Sequence, residues 1–266
     1  MGRVSELSEH TEQLDGQPVF WRSAPVADGG PLPLYVHGVP ANGDVWAPFL
    51  ERTGGIAVDL PGFGRSGKRG DLDYSIAGYA RFLRSFLELV EADDVRLVME
   101  DWGACALGWA QEEPERVRRL VLIDAVPLMA GYRWHRVARA WRMPFVGEMA
   151  MGLSIKPVLR RSIPPALLDT VATHFDQGTQ RAILRLYRWA DPERLAEAGA
   201  RLGDVRAPAL VVWGENDPYI PVRFAHGYAA VLGGEVELDI RPGAGHWPWT
   251  TDPGVVDRVA GFLAQE

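Results

Sequence analysis

The run Val95-Arg-Leu-Val-Met99 is short and apolar, and it stops at Glu100-Asp101-Trp102-Gly103 before a helix-like segment. A strand that breaks this sharply into a helix throws the residue at the break into the open, with the first helical amides beside it. Asp101 occupies that break. The pentapeptide G-x-S-x-G that usually marks such an elbow is absent, and Gly64-Arg-Ser66-Gly67 has the wrong spacing. The nucleophile expected here is therefore a carboxylate. Standing alone, Asp101 would read first as an N-cap; the rest of the chain supplies it with partners.

Other apolar runs, at 32–36, 56–60, 120–124, 209–213 and 236–240, alternate with segments of helical period such as 75–90, 103–113, 222–231 and 254–264. Residues 10–23 read as a hairpin about Asp15-Gly16. This alternation predicts an α/β fold with a mostly parallel central sheet flanked by helices. Between 127 and 202 the rhythm fails: helix-like pieces punctuated by Pro144, Pro157, Pro164 and Pro165 replace strands. We expect a core domain of residues 1–126 and 203–266, with 127–202 inserted as a helical cap.

A carboxylate nucleophile needs a base to activate water against the ester it forms, and the base needs an orienting acid. Asp217 follows the strand at 209–213, at the carboxyl edge where open α/β sheets put their ligands. His246 is presented at the same edge by Pro242-Gly-Ala-Gly-His246-Trp-Pro. The chain order is nucleophile, acid, histidine, as in elbow-type hydrolases.

Composition excludes several other classes. At 266 residues and 47% hydrophobic content the chain can bury a full-size core. Its net charge of -7 is interspersed, without a basic stripe, so no nucleic-acid partner is expected. The one cysteine, Cys105, rules out an intrachain disulfide framework and reads as a small buried hydrophobe. No zinc-type cluster appears and the loop at 61–67 lacks phosphate-cradle spacing, so neither metal nor cofactor is expected. No signal-peptide core precedes the fold and no run approaches the ~18 apolar residues of a membrane span. These features predict a cytoplasmic enzyme, monomer or homodimer, with no membrane partner.

The motifs His37-Gly-Val-Pro40, Asp59-Leu-Pro-Gly-Phe-Gly-Arg-Ser66, Glu100-Asp101-Trp102-Gly103, Trp213-Gly-Glu-Asn-Asp217 and Gly245-His246 together resemble the α/β-hydrolase fold superfamily over essentially the whole chain. Asp-Trp-Gly at the elbow is similar to two groups within it, the epoxide hydrolases and the haloalkane dehalogenases. Both resemblances imply attack by Asp101 to give an alkyl ester, then hydrolysis by water activated by His246. The amides of Val39 and Trp102 would hold the oxyanion.

The resemblance also implies how the leaving group is handled. Leu186-Tyr187-Arg188-Trp189 resembles the cap segment carrying a ring-opening tyrosine in epoxide hydrolases, with Tyr132 a second candidate; Tyr187 reads equally as cap packing. A dehalogenase would use the Trp102 indole, with a second donor from Trp134, Trp141 or Trp189, because Val39 stands where many of those enzymes carry Asn or Glu. Met99 fits dehalogenases better than epoxide hydrolases. Asp124 occupies the position from which some dehalogenases supply the acid, so it competes with Asp217. Glu100 replaces the more usual His or Gln. His37, Pro40, Trp189 and Trp247 are expected around a pocket for a small apolar electrophile. The leading expectation is epoxide hydrolysis, with haloalkane dehalogenation next and a non-catalytic small-molecule binder third.

Overall fold

The computed structural model describes residues 7–26 and 29–265, so residues 1–6, on which the absence of a signal peptide partly rests, lie outside the described residues. The hairpin pairs β1 (Ser8–Leu14) with β2 (Gln17–Ala24). Its turn residues Asp15 and Gly16 have φ of 52° and 73°, the left-handed backbone that matches a two-residue turn to strand twist. The chain then runs through β3 (Leu32–Val36), α1 (Ala47–Thr53), β4 (Gly55–Val58), α2 (Ile76–Leu89), β5 (Val95–Glu100), α3 (Ala106–Glu112) and β6 (Val117–Ile123).

A stretch of helices without a described strand follows: α4 (Arg136–Arg142), α5 (Val146–Gly152), α6 (Lys156–Leu159), α7 (Pro165–Thr173), α8 (Gln177–Trp189) and α9 (Pro192–Ala198). Prolines open α7 and α9, where a missing N–H does no harm. The alternation resumes with β7 (Ala209–Gly214), α10 (Arg223–Val231), β8 (Val236–Arg241) and α11 (Gly254–Leu263).

The eight strands form one sheet in the order β1-β2-β4-β3-β5-β6-β7-β8. It is parallel from β4 to β8, with β1 and β2 antiparallel at one edge. This is the expected α/β-hydrolase architecture. The inner strands are buried on both faces, which is why they read as continuous apolar runs instead of alternating ones. Helix α2 shows how the flanking layer attaches: Ser75 caps it through the Gly78 amide, and Tyr79, Leu83, Phe86 and Leu87 form a buried stripe.

Strand β3 has β4 on one side and β5 on the other, so the winding direction reverses between β3 and β5. Such a reversal opens a crevice beyond the carboxyl ends of the two strands. No helix among the described residues is long and apolar enough to cross a membrane.

Candidate active site

At that crevice β3 hands over to His37-Gly38-Val39, and β5 turns into a tight 3-10 turn, Asp101–Cys105. Asp101 has φ of 47°, a left-handed conformation that aspartate tolerates better than most residues. One carboxylate oxygen, Oδ2, accepts the Val39 amide at 2.8 Å. Two glycines make the approach possible. A Cβ on Gly38 would stand 2.5 Å from Asp101 Cβ, and one on Gly103 would stand 2.2 Å from the Val36 carbonyl oxygen. The His-Gly and Trp-Gly pairs are thus packing requirements of two backbones that converge on one acid.

His37 does not line the site, contrary to the pocket role expected for it. Its Nε2 accepts the Leu60 amide at 3.0 Å and its Nδ1 faces the Gly38 carbonyl at 2.8 Å, which ties the end of β3 to the loop after β4. Burial lowers its pKa to about 4, so the ring is neutral. That loop is held in turn by Asp59, which accepts the amides of Gly43 and Arg65. The glycine-rich stretch 61–67 therefore supports the strand ends.

Asp217 lies just beyond β7 and His246 in the loop after β8; His246 Nδ1 is 2.8 Å from Asp217 Oδ2. The other Asp217 oxygen accepts the amides of Tyr219 and Ile220 at 2.7 and 3.0 Å, which fixes the acid in place. Asp124, the competing acid, accepts the Gly214 amide at 2.9 Å and does not bond the histidine. Asp124, Asp217 and His246 offer ligand atoms within 4.8 Å of one another, but His246 Nδ1 is already engaged by Asp217, so proton sharing accounts for the cluster. The far nitrogen, His246 Nε2, sits 3.7 Å from Asp101 Oδ1 and 3.5 Å from Glu100 Oε1.

Four acids around one histidine set the local electrostatics. Burial disfavours a charged His246, yet Asp217 first, then Asp101 and Glu100, outweigh it and raise its pKa well above the usual value. Burial pushes Asp101 up while His246 and the amides of Val39 and Trp102 pull it down, leaving it raised. Asp217 is lowered, because His246 and its hydrogen bonds overcome burial. Asp124 is raised well above the carboxylate range by burial and by the charge of Asp217, so it holds the proton of that pair. Glu100 is also raised well above it, by burial first, although His246 and the Gly38 amide oppose this.

A cavity of about 270 Å³ meets Asp101 and His246. Val39, Pro40, Trp247, Tyr132 and Tyr187 face it as expected positions. Trp189 does not: it borders a separate surface cleft with Gln111 and Arg194, because two residues along α8 from Tyr187 it falls on the opposite side of the helix. The Trp102 ring is stacked on Trp134 at 5.4 Å and edge-on to Tyr187 at 5.3 Å, and both of these neighbours line the cavity. Its indole N–H has the Tyr187 hydroxyl beside it, whereas Tyr132 Oη and Trp247 Nε1 have no hydrogen-bond partner. Trp134 donates its N–H to the Ala190 carbonyl at 2.8 Å, which removes it as a free donor.

Two further residues that the motifs do not single out line the cavity. His135 lines the wall, packs 5.0 Å from Tyr219, and has its pKa lowered to about 4 by burial and by His246. Tyr219 lies edge-on to His246 at 5.0 Å. Its place two residues after the acid in Asp217-Pro-Tyr219 was the available signal, since a turn held by Asp217 must bring Tyr219 along.

Fold and site together define a hydrolase built on a strand-to-helix elbow. Residues 34–259 match the alpha/beta hydrolase family, and the chain belongs to it, in the dehalogenase-like branch with aspartate at the elbow. It is 30% identical over 295 positions to an uncharacterised protein of Mycobacterium tuberculosis, covering 98% of this chain and 83% of that one. A haloalkane dehalogenase of Mesorhizobium japonicum is 30% identical over 81% of this chain and 78% of its own. The crystal structure of haloalkane dehalogenase DbeA from Bradyrhizobium elkani shares the fold, with a TM-score of 0.80 at 24% identity over 97% and 99% of the two chains.

Proposed function

We propose that the protein hydrolyses carbon–halogen bonds through an alkyl ester on Asp101. The observation that carries this reading is the Asp101 carboxylate itself, pinned through Oδ2 by the Val39 amide, faced by the His246–Asp217 pair, and followed in the chain by Trp102, whose indole N–H has only the Tyr187 hydroxyl beside it. Several other core indoles are unpaired, so it is the place of Trp102 directly after the nucleophile that matters. The similarity to dehalogenases puts this reading ahead of epoxide hydrolysis, reversing the order expected from the motifs.

Asp101 Oδ1 attacks the halogen-bearing carbon; a carbon–oxygen bond forms as the carbon–halogen bond breaks, and the electron pair leaves with halide. The Trp102 indole donates to the departing halide. Water then adds to the carboxyl carbon while His246 Nε2 takes its proton, and the amides of Val39 and Trp102 hold the oxyanion. Collapse releases the alcohol and restores Asp101. Ester formation removes the charge of Asp101, one of the groups that keeps His246 protonated, so the first step prepares the base for the second.

Epoxide opening is the second reading, favoured by the hydroxyls of Tyr132 and Tyr187 in the cavity wall and by Val39, which cannot give a halide the side-chain amide of Asn. One experiment separates them: halide release from haloalkanes and diol formation from epoxides, measured on the wild type, Trp102→Phe, and the double variant Tyr132→Phe/Tyr187→Phe. Dehalogenation predicts halide release that falls at least about tenfold in Trp102→Phe, the scale of one lost donor, and survives in the tyrosine variant. Diol formation abolished by the tyrosine changes, without halide release, would replace it with the second reading.

A further inference from the structure

The segment between α4 and α6 carries most of the large apolar side chains that the molecule leaves in solvent. Val137, Met143, Phe145, Val146, Met149, Leu153, Ile155 and Val158 are all exposed, against only Leu89, Val231 and Leu238 elsewhere among the described residues. They are not scattered. Val146, Met149 and Leu153 follow the i, i+3, i+7 spacing of one helical face along α5 and its C-cap, and that face is the exposed one, while Gly147 and Met151 are buried. Phe145, 83% exposed, stands at the head of the helix.

The same stretch is cationic. Residues 133–161 hold seven cations (Arg133, Arg136, Arg139, Arg142, Lys156, Arg160, Arg161) and one acid, Glu148, a net of +6. The whole chain has net charge -7, which leaves -13 for everything else. Arg142 and Lys156 pair with Asp191 and Asp169, and Glu148 is engaged by Arg188. Arg133, Arg136, Arg139, Arg160 and Arg161 are exposed and make no ion pair among the described residues.

We propose that this face docks on the surface of an anionic lipid bilayer, its apolar side chains inserted and its free arginines on the headgroups. Charge decides against a second copy of the chain, because a two-fold interface here would set the unpaired arginines against one another. Charge also orients the molecule: the acidic remainder is repelled by the lipid surface that attracts this face. Val137 and Val158 are both exposed and part of the cavity wall, so the cavity opens within the docking face. An apolar substrate dissolved in the bilayer then reaches Asp101 without crossing water. That last consequence rests on the reaction proposed above; the docking does not. The expectation of no membrane partner came from the lack of a spanning segment, which bears on spanning and not on surface attachment.

The test is co-sedimentation of the full chain with phosphatidylcholine vesicles, with and without phosphatidylglycerol. Binding is expected only when the anionic lipid is present, weakening as salt is raised. Each of Arg136→Ser, Arg139→Ser, Arg160→Ser and Arg161→Ser is expected to weaken it about fivefold. The triple change Phe145→Ser/Met149→Ser/Leu153→Ser should weaken it by about a hundredfold or more, with melting temperature unchanged because these side chains are already in solvent. Failure of the wild type to bind anionic vesicles would overturn the proposal, as would binding indifferent to the triple change. So would a wild-type dimer in sedimentation velocity that the triple change dissolves.

Discussion

His246 Nε2 lies 3.5 Å from Glu100 Oε1, so the histidine faces a second carboxyl beside that of Asp101, 3.7 Å away. In the proposed reaction alkylation neutralises Asp101 but leaves Glu100. His246 acts as a base only when neutral, so turnover falls as pH drops through its pKa in the alkyl-enzyme. An ionised Glu100 raises that pKa and moves the fall to higher pH; burial, which raises the pKa of Glu100 itself, lessens this without removing it. Glu100→Gln removes the remaining charge and still accepts the Gly38 amide. We expect the variant to keep kcat within about tenfold and to shift the acid limb of the kcat profile down by about one pH unit. A limb that stays put or moves up would contradict this arrangement.

Removing the base should stop the reaction halfway. His246→Ala leaves Asp101 and the Val39 amide in place, so a haloalkane is expected to release about one halide per enzyme and no more. Intact-mass spectrometry should then show the protein heavier by the alkyl group, mapped to Asp101. Continued turnover without an adduct would exclude the covalent route.

Gly38 tests how tightly the elbow is packed. A Cβ added there would lie 2.7 Å from both Asp101 Oδ2 and Glu100 Oε2, so Gly38→Ala must displace the nucleophile. A displacement of that size is expected to lower kcat/KM by about a hundredfold. Crowding should also lower stability by about 1–3 kcal/mol, read from denaturant unfolding. Unchanged kinetics would mean that the carboxylate does not need its present position.

His37 gives a pH dependence of stability. Its folded pKa of about 4 lies below the unfolded value, so between the two the unfolded state binds the extra proton and stability falls as pH falls from about 6.5 towards 4. The full effect is about 3 kcal/mol. His37→Gln keeps an acceptor for Leu60 and cannot titrate. The wild type should lose stability relative to this variant across that window, and a constant difference would show that His37 is not held neutral.

Strand and helix periods, Asp15-Gly16, the elbow at Asp101 and the order Asp101, Asp217, His246 are local features, and they were legible because each depends on residues close together in the chain. They were enough for the fold and for placing Asp101, Asp217 and His246 together at one sheet edge. What lies across the chain was not legible. The choice of Asp217 over Asp124 depends on which side chain the loop after β8 reaches, and two acids at neighbouring strand ends look alike in one dimension. Trp189 belongs to another cleft, and His37 to a buried clamp, because helix direction and the direction of a ring are set by packing. Tyr219 and His135 join the site only when the loop after β7 folds against the helical segment. The sequence by itself determined a sheet edge bearing Asp101, Asp217 and His246. Only the tertiary structure decided which groups surround them, because burial and charge act between neighbours in space, and a chain wound into a sheet of eight strands leaves few of those neighbours adjacent in sequence.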